Sequence, residues 1–165
     1  MDYIDIINDA LNIDEPAIDV EGLIRRFGIM LEPKANLETD ISGQIERLDD
    51  GLYKISANAD NHYYRRRFTM AHELGHFLLH LDKIGDGADD DKMYRSTDSG
   101  RFYNRLISSS DERDANQFAA MILMPRKLMT KVWEQYGKKD KGRMAKAFKV
   151  SLGALEIRLR DLNLT

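Results

Sequence analysis

His72-Glu73-Leu74-Gly75-His76, set in the apolar run Phe68–Leu81, decides how the rest of the chain is read. On an α-helix, residues four apart share a face, so the two imidazoles converge on one point. Glu73 stands beside them. Leu74, Phe77, Leu78, Leu79 and Leu81 surround the motif, so the helix is expected to be largely buried. Buried polar groups need partners. A shared metal ion removes the cost of holding three titratable groups there, provided a third ligand exists. The reading therefore starts from a helix over Arg65–Leu81 carrying two ligands and a carboxylate.

Around this helix the sequence reads as a small α+β domain. Asp14-Glu15-Pro16-Ala17 leads into a helical pattern at Ala17–Phe27, and Gly28 closes it. Ile29–Glu32 predicts a short strand stopped by Pro33. Strands over Ser42–Leu48 and Leu52–Ser56, joined by the turn Asp49-Asp50-Gly51, predict a hairpin in front of the motif helix. The segment Asp82–Asp91, with Gly85, Gly87 and five aspartates, reads as exposed loop. It lacks the alternating ligands and terminal Glu of a calcium loop. Arg95–Ser110 reads as irregular or weakly helical, a long polar connection that could wall the substrate cleft. A second strong helix, Asp111–Met124, stops at Pro125. Helices over Arg126–Tyr136 and Lys141–Phe148 follow, and a last one begins after Ser151 as N-cap.

A chain of 165 residues and 19.0 kDa supports one compact domain over 1–165. It is expected to carry an exposed insertion near 82–110 and a basic helical part over 126–165. There are no cysteines. A thiolate metal site and a disulfide framework are excluded, so a metal must be held by His and carboxylate. The opening Asp2-Tyr3-Ile4-Asp5 shows no signal peptide pattern, and no apolar run approaches the roughly 20 residues that cross a bilayer. A cytoplasmic protein without membrane contact is the expectation. The net charge of -3 hides an asymmetry. Residues 1–50 hold thirteen acids against four bases, and residues 126–149 hold nine bases against two acids. Arg126, Lys127, Lys131, Lys138, Lys139 and Arg143 form either a solvated helix face or a positive surface for an acidic protein or nucleic acid. Few aromatic residues accompany them, which disfavours a stacking platform for single strands.

The chemistry follows from the motif. H-E-x-x-H on a helix is the signature of zinc-dependent peptidases: two ligands and a general base on adjoining positions. A catalytic zinc takes three protein ligands and keeps one position open. His80 follows His76 by four, but a straight helix carries it too far to share the ion, which leaves it to support a liganding ring or to line the cleft. Glu112, opening the second helix, is the better candidate. The alternative for Glu112 is a carboxylate placed at the positive end of its helix. Asn116, one turn later, can fix a liganding imidazole. Bound zinc would polarise the scissile carbonyl and lower the pKa of its water, with Glu73 taking the proton. An oxyanion donor is also required; Tyr94, Tyr103, Arg101, His80 and His62 are the candidates.

The stretch from Arg67 to His80, with Thr69-Met70-Ala71-His72-Glu73-Leu74-Gly75-His76 at its centre, resembles the metal-binding helix of the ImmA/IrrE metallopeptidases. Glu112-Arg113-Asp114-Ala115-Asn116-Gln117-Phe118 through Pro125 is similar to that family's second block, whose first Glu is the third zinc ligand. Ala147-Phe148-Lys149-Val150-Ser151 with Arg158–Leu162 resembles its closing segment, and Ile18–Ile29 its opening helix and strand. The long spacing between the two central blocks places an insertion at roughly 82–108. The resemblance implies a zincin-like minimal metallopeptidase fold, α+β, with helices on a small sheet and Zn2+ between two helices. Mn2+ suits the same ligands. It also implies a site-specific endopeptidase that cleaves or inactivates a helix-turn-helix (Xre-like) repressor in phage, mobile-element or stress regulation. The competing reading is a toxin–antitoxin component that binds such a partner without proteolysis. Direct nucleic-acid binding rests only on Phe148–Leu162, where Leu152, Leu155, Leu159 and Leu162 read as a core stripe instead.

Overall fold

The computed structural model describes residues 2–91, 104 and 106–164. Helices α1 (Tyr3–Leu11) and α2 (Val20–Arg26) precede three strands, β1 (Met30–Ala35), β2 (Ile41–Arg47) and β3 (Tyr53–Asn58). The long helix α3 (Tyr63–Leu79) follows, then the short α4 (Leu81–Ile84) and strand β4 (Gly87–Asp91). Helix α5 (Ser109–Leu123) leads to α6 (Arg126–Val132), which runs into a π-helical turn at Trp133–Gly137. Helices α7 (Lys141–Phe148) and α8 (Leu152–Asp161) close the chain.

The four strands form one sheet in the order β1-β3-β2-β4. β1 runs parallel to β3, and β2 is antiparallel to both its neighbours. The expected hairpin is present, with Ile45 opposite Ile55. Those two side chains are fully buried and face Met70, Ala71 and Leu74 of α3 in one core. Burying apolar area on one sheet face is what presses α3 onto the strands. β1 continues past Pro33, where a stop was expected. It is an edge strand, and its register with β3 is irregular between Glu32 and Ala35, which is where a residue without an N–H is tolerated.

Segment 82–91 departs from the expected exposed loop. Ile84 and Ala88 are buried, and β4 adds to the sheet beside β2, with Ala88 opposite Ile45. The Asn104 side-chain amide donates to the carbonyls of Lys83, Ile84 and Gly87 at 2.7, 3.0 and 3.1 Å. Those bonds hold the α4–β4 turn, and aspartate-rich composition gave no hint of them. α1 also went unread: Ile6 is buried, and Tyr3 packs edge-on to Phe27 with ring centroids 5.1 Å apart.

The last three helices pack Leu128, Met129, Trp133, Met144, Phe148 and Leu155 into the same core. Ser151 caps α8 as predicted, its Oγ accepting from the Ala154 N–H at 3.1 Å. Leu155, Leu159 and Leu162 are buried, whereas Leu152 is exposed, because it is the first residue of α8 and lies beyond the packed face. The Arg158 Nε donates to the Met124 carbonyl at 3.0 Å and so ties α8 to the end of α5.

Candidate metal centre

Where α3 crosses α5, Gly75 faces Ala115. A Cβ at position 75 would stand 3.2 Å from the Ala115 Cα and 3.1 Å from the Phe118 ring. Glycine therefore lets the two backbones close up. His72 and His76 flank that contact on one helix, and Glu112 lies one turn before Ala115 on the other.

The three side chains meet. His72 Nε2 is 3.0 Å from one Glu112 carboxylate oxygen, and His76 Nε2 is 3.1 Å from the other. Behind each ring the second nitrogen is also engaged. His72 Nδ1 donates to Asn116 Oδ1 at 2.8 Å. His76 Nδ1 lies 2.9 Å from His80 Nδ1, and the far nitrogen of His80 reaches Asp111 at 3.4 Å and Asp114 at 3.6 Å. With the His80 proton on the nitrogen nearer those carboxylates, its Nδ1 accepts from His76.

Both outer partners thus leave the Nε2 lone pairs of His72 and His76 pointing at carboxylate oxygens. Lone pair facing lone pair at such distances is relieved by a proton or a metal cation between them. Ligand atoms around a tetrahedral zinc at about 2.1 Å stand roughly 3.4 Å from one another, close to what is seen. The donor set, two imidazoles and a carboxylate with all three ligand atoms within 4.8 Å, fits the ion. Burial lowers the His76 pKa, against the Glu112 contact that raises it, and so favours the neutral, ligating imidazole. Burial raises the Glu112 carboxyl, but the contacts with His72 and His76 outweigh it and hold the group at about 2.

Glu73 is buried on the same turn of α3. β2 passes directly beside it at Gly43. A Cβ there would collide with the Thr69 side chain, lie 2.9 Å from the Ser56 carbonyl oxygen and stand 3.7 Å from a Glu73 carboxylate oxygen. Strand glycines mark such close approaches, so this residue was legible though unread.

Two features around the cluster were missed in the sequence. Ser108 and Asp111 form a reciprocal capping box at the start of α5: the Ser108 Oγ accepts from the Asp111 N–H at 3.1 Å, and Asp111 accepts from the Ser108 N–H at 2.8 Å. The S-x-x-D spacing was a readable signal. Lys83 Nζ lies 2.9 Å from both Asp111 oxygens, a pairing across 28 positions that no local pattern reveals. Burial would raise the Asp111 carboxyl, but Ser108 and Lys83 hold it well below the usual carboxylate range. His80, Asp111 and Asp114 are a second group spaced to hold a cation. The Lys83 ammonium already serves as that charge for Asp111.

The other candidates separate. His62 caps α3, its Nδ1 accepting from the Tyr64 N–H at 3.1 Å, and is not among the three clustered ligands. Tyr94, Arg101 and Tyr103 lie outside the described residues. Of the basic patch, Arg126, Lys127 and Lys139 are exposed. Lys131 donates to the Asp14 carbonyl at 2.7 Å and pairs with Glu15, Lys138 pairs with Glu134, and Arg143 lies over the Tyr136 ring at 4.0 Å. Part of the charge asymmetry is therefore spent inside the molecule.

The family model of the IrrE N-terminal-like domain, Peptidase M78, matches residues 26–160. The chain belongs to this family. Membership and the His/Glu cluster of this IrrE N-terminal-like domain are together consistent with a metal-dependent hydrolase site. Its fold is similar to that of a Mycobacterium tuberculosis transcriptional regulator, with a TM-score of 0.60 at 17% identity. That similarity covers 95% of this chain and 45% of the regulator, so the domain spans less than half of its length. No curated protein sequence matches the domain significantly. Among the described residues, no helix is long and apolar enough to cross a membrane.

Proposed function

We propose that the domain is a zinc-dependent, site-specific endopeptidase whose substrate is a cognate helix-turn-helix repressor in the cytoplasm. The observation that carries the peptidase part is the closure of His72, His76 and Glu112 on one point beside the buried Glu73. The repressor part rests on the resemblance of both sequence blocks to repressor-directed peptidases. It agrees with a structural relative titled a transcriptional regulator.

In this reading His72, His76 and Glu112 hold zinc, and Mn2+ fits the same donors. Bound there, the ion supplies Lewis acidity toward the scissile carbonyl and a water of lowered pKa. Glu73 accepts the proton of the attacking water and delivers it to the leaving amine. Asn116 and His80 orient the two imidazoles from behind. The exposed Arg126, Lys127 and Lys139 offer a positive surface to an acidic partner.

The test is mass analysis of any helix-turn-helix repressor encoded beside this chain after incubation with the zinc-loaded protein. One discrete cut is expected, with the rate falling by about 10²-fold or more in Glu73→Gln. A partner that stays whole yet co-purifies with both proteins would replace this reading with that of a non-proteolytic toxin–antitoxin component.

A further inference from the structure

We infer that the pocket beside His72 is a side-chain subsite for the peptide substrate, taking a bulky apolar residue two or three positions from the cleaved bond. This rests on the peptidase reading above. The pocket has a volume of about 720 Å³ and opens between the N-terminal half of α3, the second half of α5 and α8. Cavities that bind organic ligands run from about 300 to 1,000 Å³.

Its chemistry names the occupant. Phe68, Ala120, Met124, Val150 and Ala154 line it with apolar groups, and the two alanines on facing helices leave the room. Ile157 also lines it while 56% exposed, an apolar side chain left uncovered inside an apolar hollow. The charged residues of the lining, Arg65 and Asp161, are exposed and of opposite sign. They favour no net charge in the ligand, so selection falls to apolar bulk.

Its position names the substrate. Asn116 belongs both to the pocket wall and to the metal cluster, where its Oδ1 accepts from His72 at 2.8 Å. The far side of the same imidazole lies 3.0 Å from Glu112. One ring therefore separates pocket from cluster. Two to three residues of extended chain, at about 3.4 Å each, cover such a span with the scissile carbonyl at the cluster. A free small molecule would have no use for that continuity.

The probe is an array of overlapping short peptides from β-casein, an unfolded protein. It is bound by zinc-loaded Glu73→Gln protein, so that nothing is cut. Two further variants are made in that background. Ala154→Trp fills the pocket, and Ile157→Glu places a charge at its exposed edge without touching the core. Peptides retained by Glu73→Gln are expected to share a Leu, Met, Ile or Phe. Both pocket variants should weaken their binding roughly tenfold or more, the scale on which apolar pockets reject a mismatched side chain. Zinc content and melting temperature should stay unchanged in Ile157→Glu. Array binding that is absent, or indifferent to both variants, overturns the subsite. The parent reading is scored separately by cleavage of the same peptides with intact Glu73. Cuts that persist unshifted in Ile157→Glu would keep the peptidase and discard the pocket. Pocket-dependent binding without any cut would keep the pocket and leave the peptidase reading to be decided by the repressor assay above.

Discussion

At the scale of single residues, the cluster was legible where chemistry and short spacing coincide. His72 and His76 are four apart on one helix, and Glu112 and Asn116 four apart on the next, so each pair reads from sequence alone. That the two pairs meet is a matter of packing, and there the resemblance to a family did what periodicity could not. The role of His80 shows the limit. Its distance along α3 argued against ligation, and the structure puts it behind His76 instead, with its Nδ1 at 2.9 Å. Partners of this kind fix the tautomer and direction of a ligating ring, and losing one typically costs about 10- to 100-fold in metal affinity. Asn116→Ala and His80→Ala should each weaken zinc by that factor in a chelator competition, with His80→Gln recovering part of the loss. Unchanged affinity in both would show that the rings are held by packing alone.

At the scale of elements, most helices and the β2–β3 hairpin could be read because their apolar residues recur with the right period. β4 could not. It is glycine and aspartate but for Ala88, and it becomes a strand because β2 offers an unpaired edge and Asn104 secures the turn before it. The opposite edge tolerates Pro33 because, among the described residues, no strand pairs beyond β1. The start of α5 matters more than an ordinary helix end. The Ser108–Asp111 box fixes the first turn, and Glu112 is the next residue. Replacing Ser108 with alanine should cost about 1 kcal/mol of stability and should also weaken zinc binding, since a frayed first turn lets Glu112 move. Calorimetry and zinc titration on one preparation check both; a stability loss with zinc affinity intact would separate cap from ligand.

At the scale of the whole molecule, charge links distant parts and sets a direction of pH dependence. The acidic N-terminal and basic C-terminal regions visible in composition touch at Lys131, Asp14 and Glu15. Exposed pairs of that kind contribute about 1 kcal/mol or less. The buried groups around the cluster have greater effect, and their signs agree on the acid side. Burial lowers the His76 pKa from 6.5, so the unfolded chain takes up the proton first and stability falls as pH drops below about 6.5. Glu112, burial notwithstanding, is held from 4.5 down to about 2 by His72 and His76, and Asp111 is also depressed. Their contributions are complete above the ordinary carboxylate values and vanish as pH falls through the folded ones. Lys83 is raised by its bond to Asp111, so its share is present below 10.5 and lost only as pH climbs past the folded value. Thermal melts of chelator-treated protein should therefore show a plateau from about pH 7 to 10 and a fall below pH 6.5. The fall is limited to about 1.4 kcal/mol per pH unit for each proton taken up and steepens below pH 4.5. A melting temperature flat from pH 7 to 5 would contradict the assignment of His76 as a buried neutral ring.

The contact of Gly75 with Ala115 has a bearing on which ion the domain accepts. Donors on loops can breathe to suit ions of different radius. Here they are bolted to two rods, and the gap between the rods is set by backbone touching backbone. Zinc and manganese accept the same His and carboxylate donors, so in the proposed centre the helix crossing would act as a gauge. Selection among metals then lies less in the His and Glu donors, common to many ions, than in a hydrogen atom standing where other residues carry a methyl group.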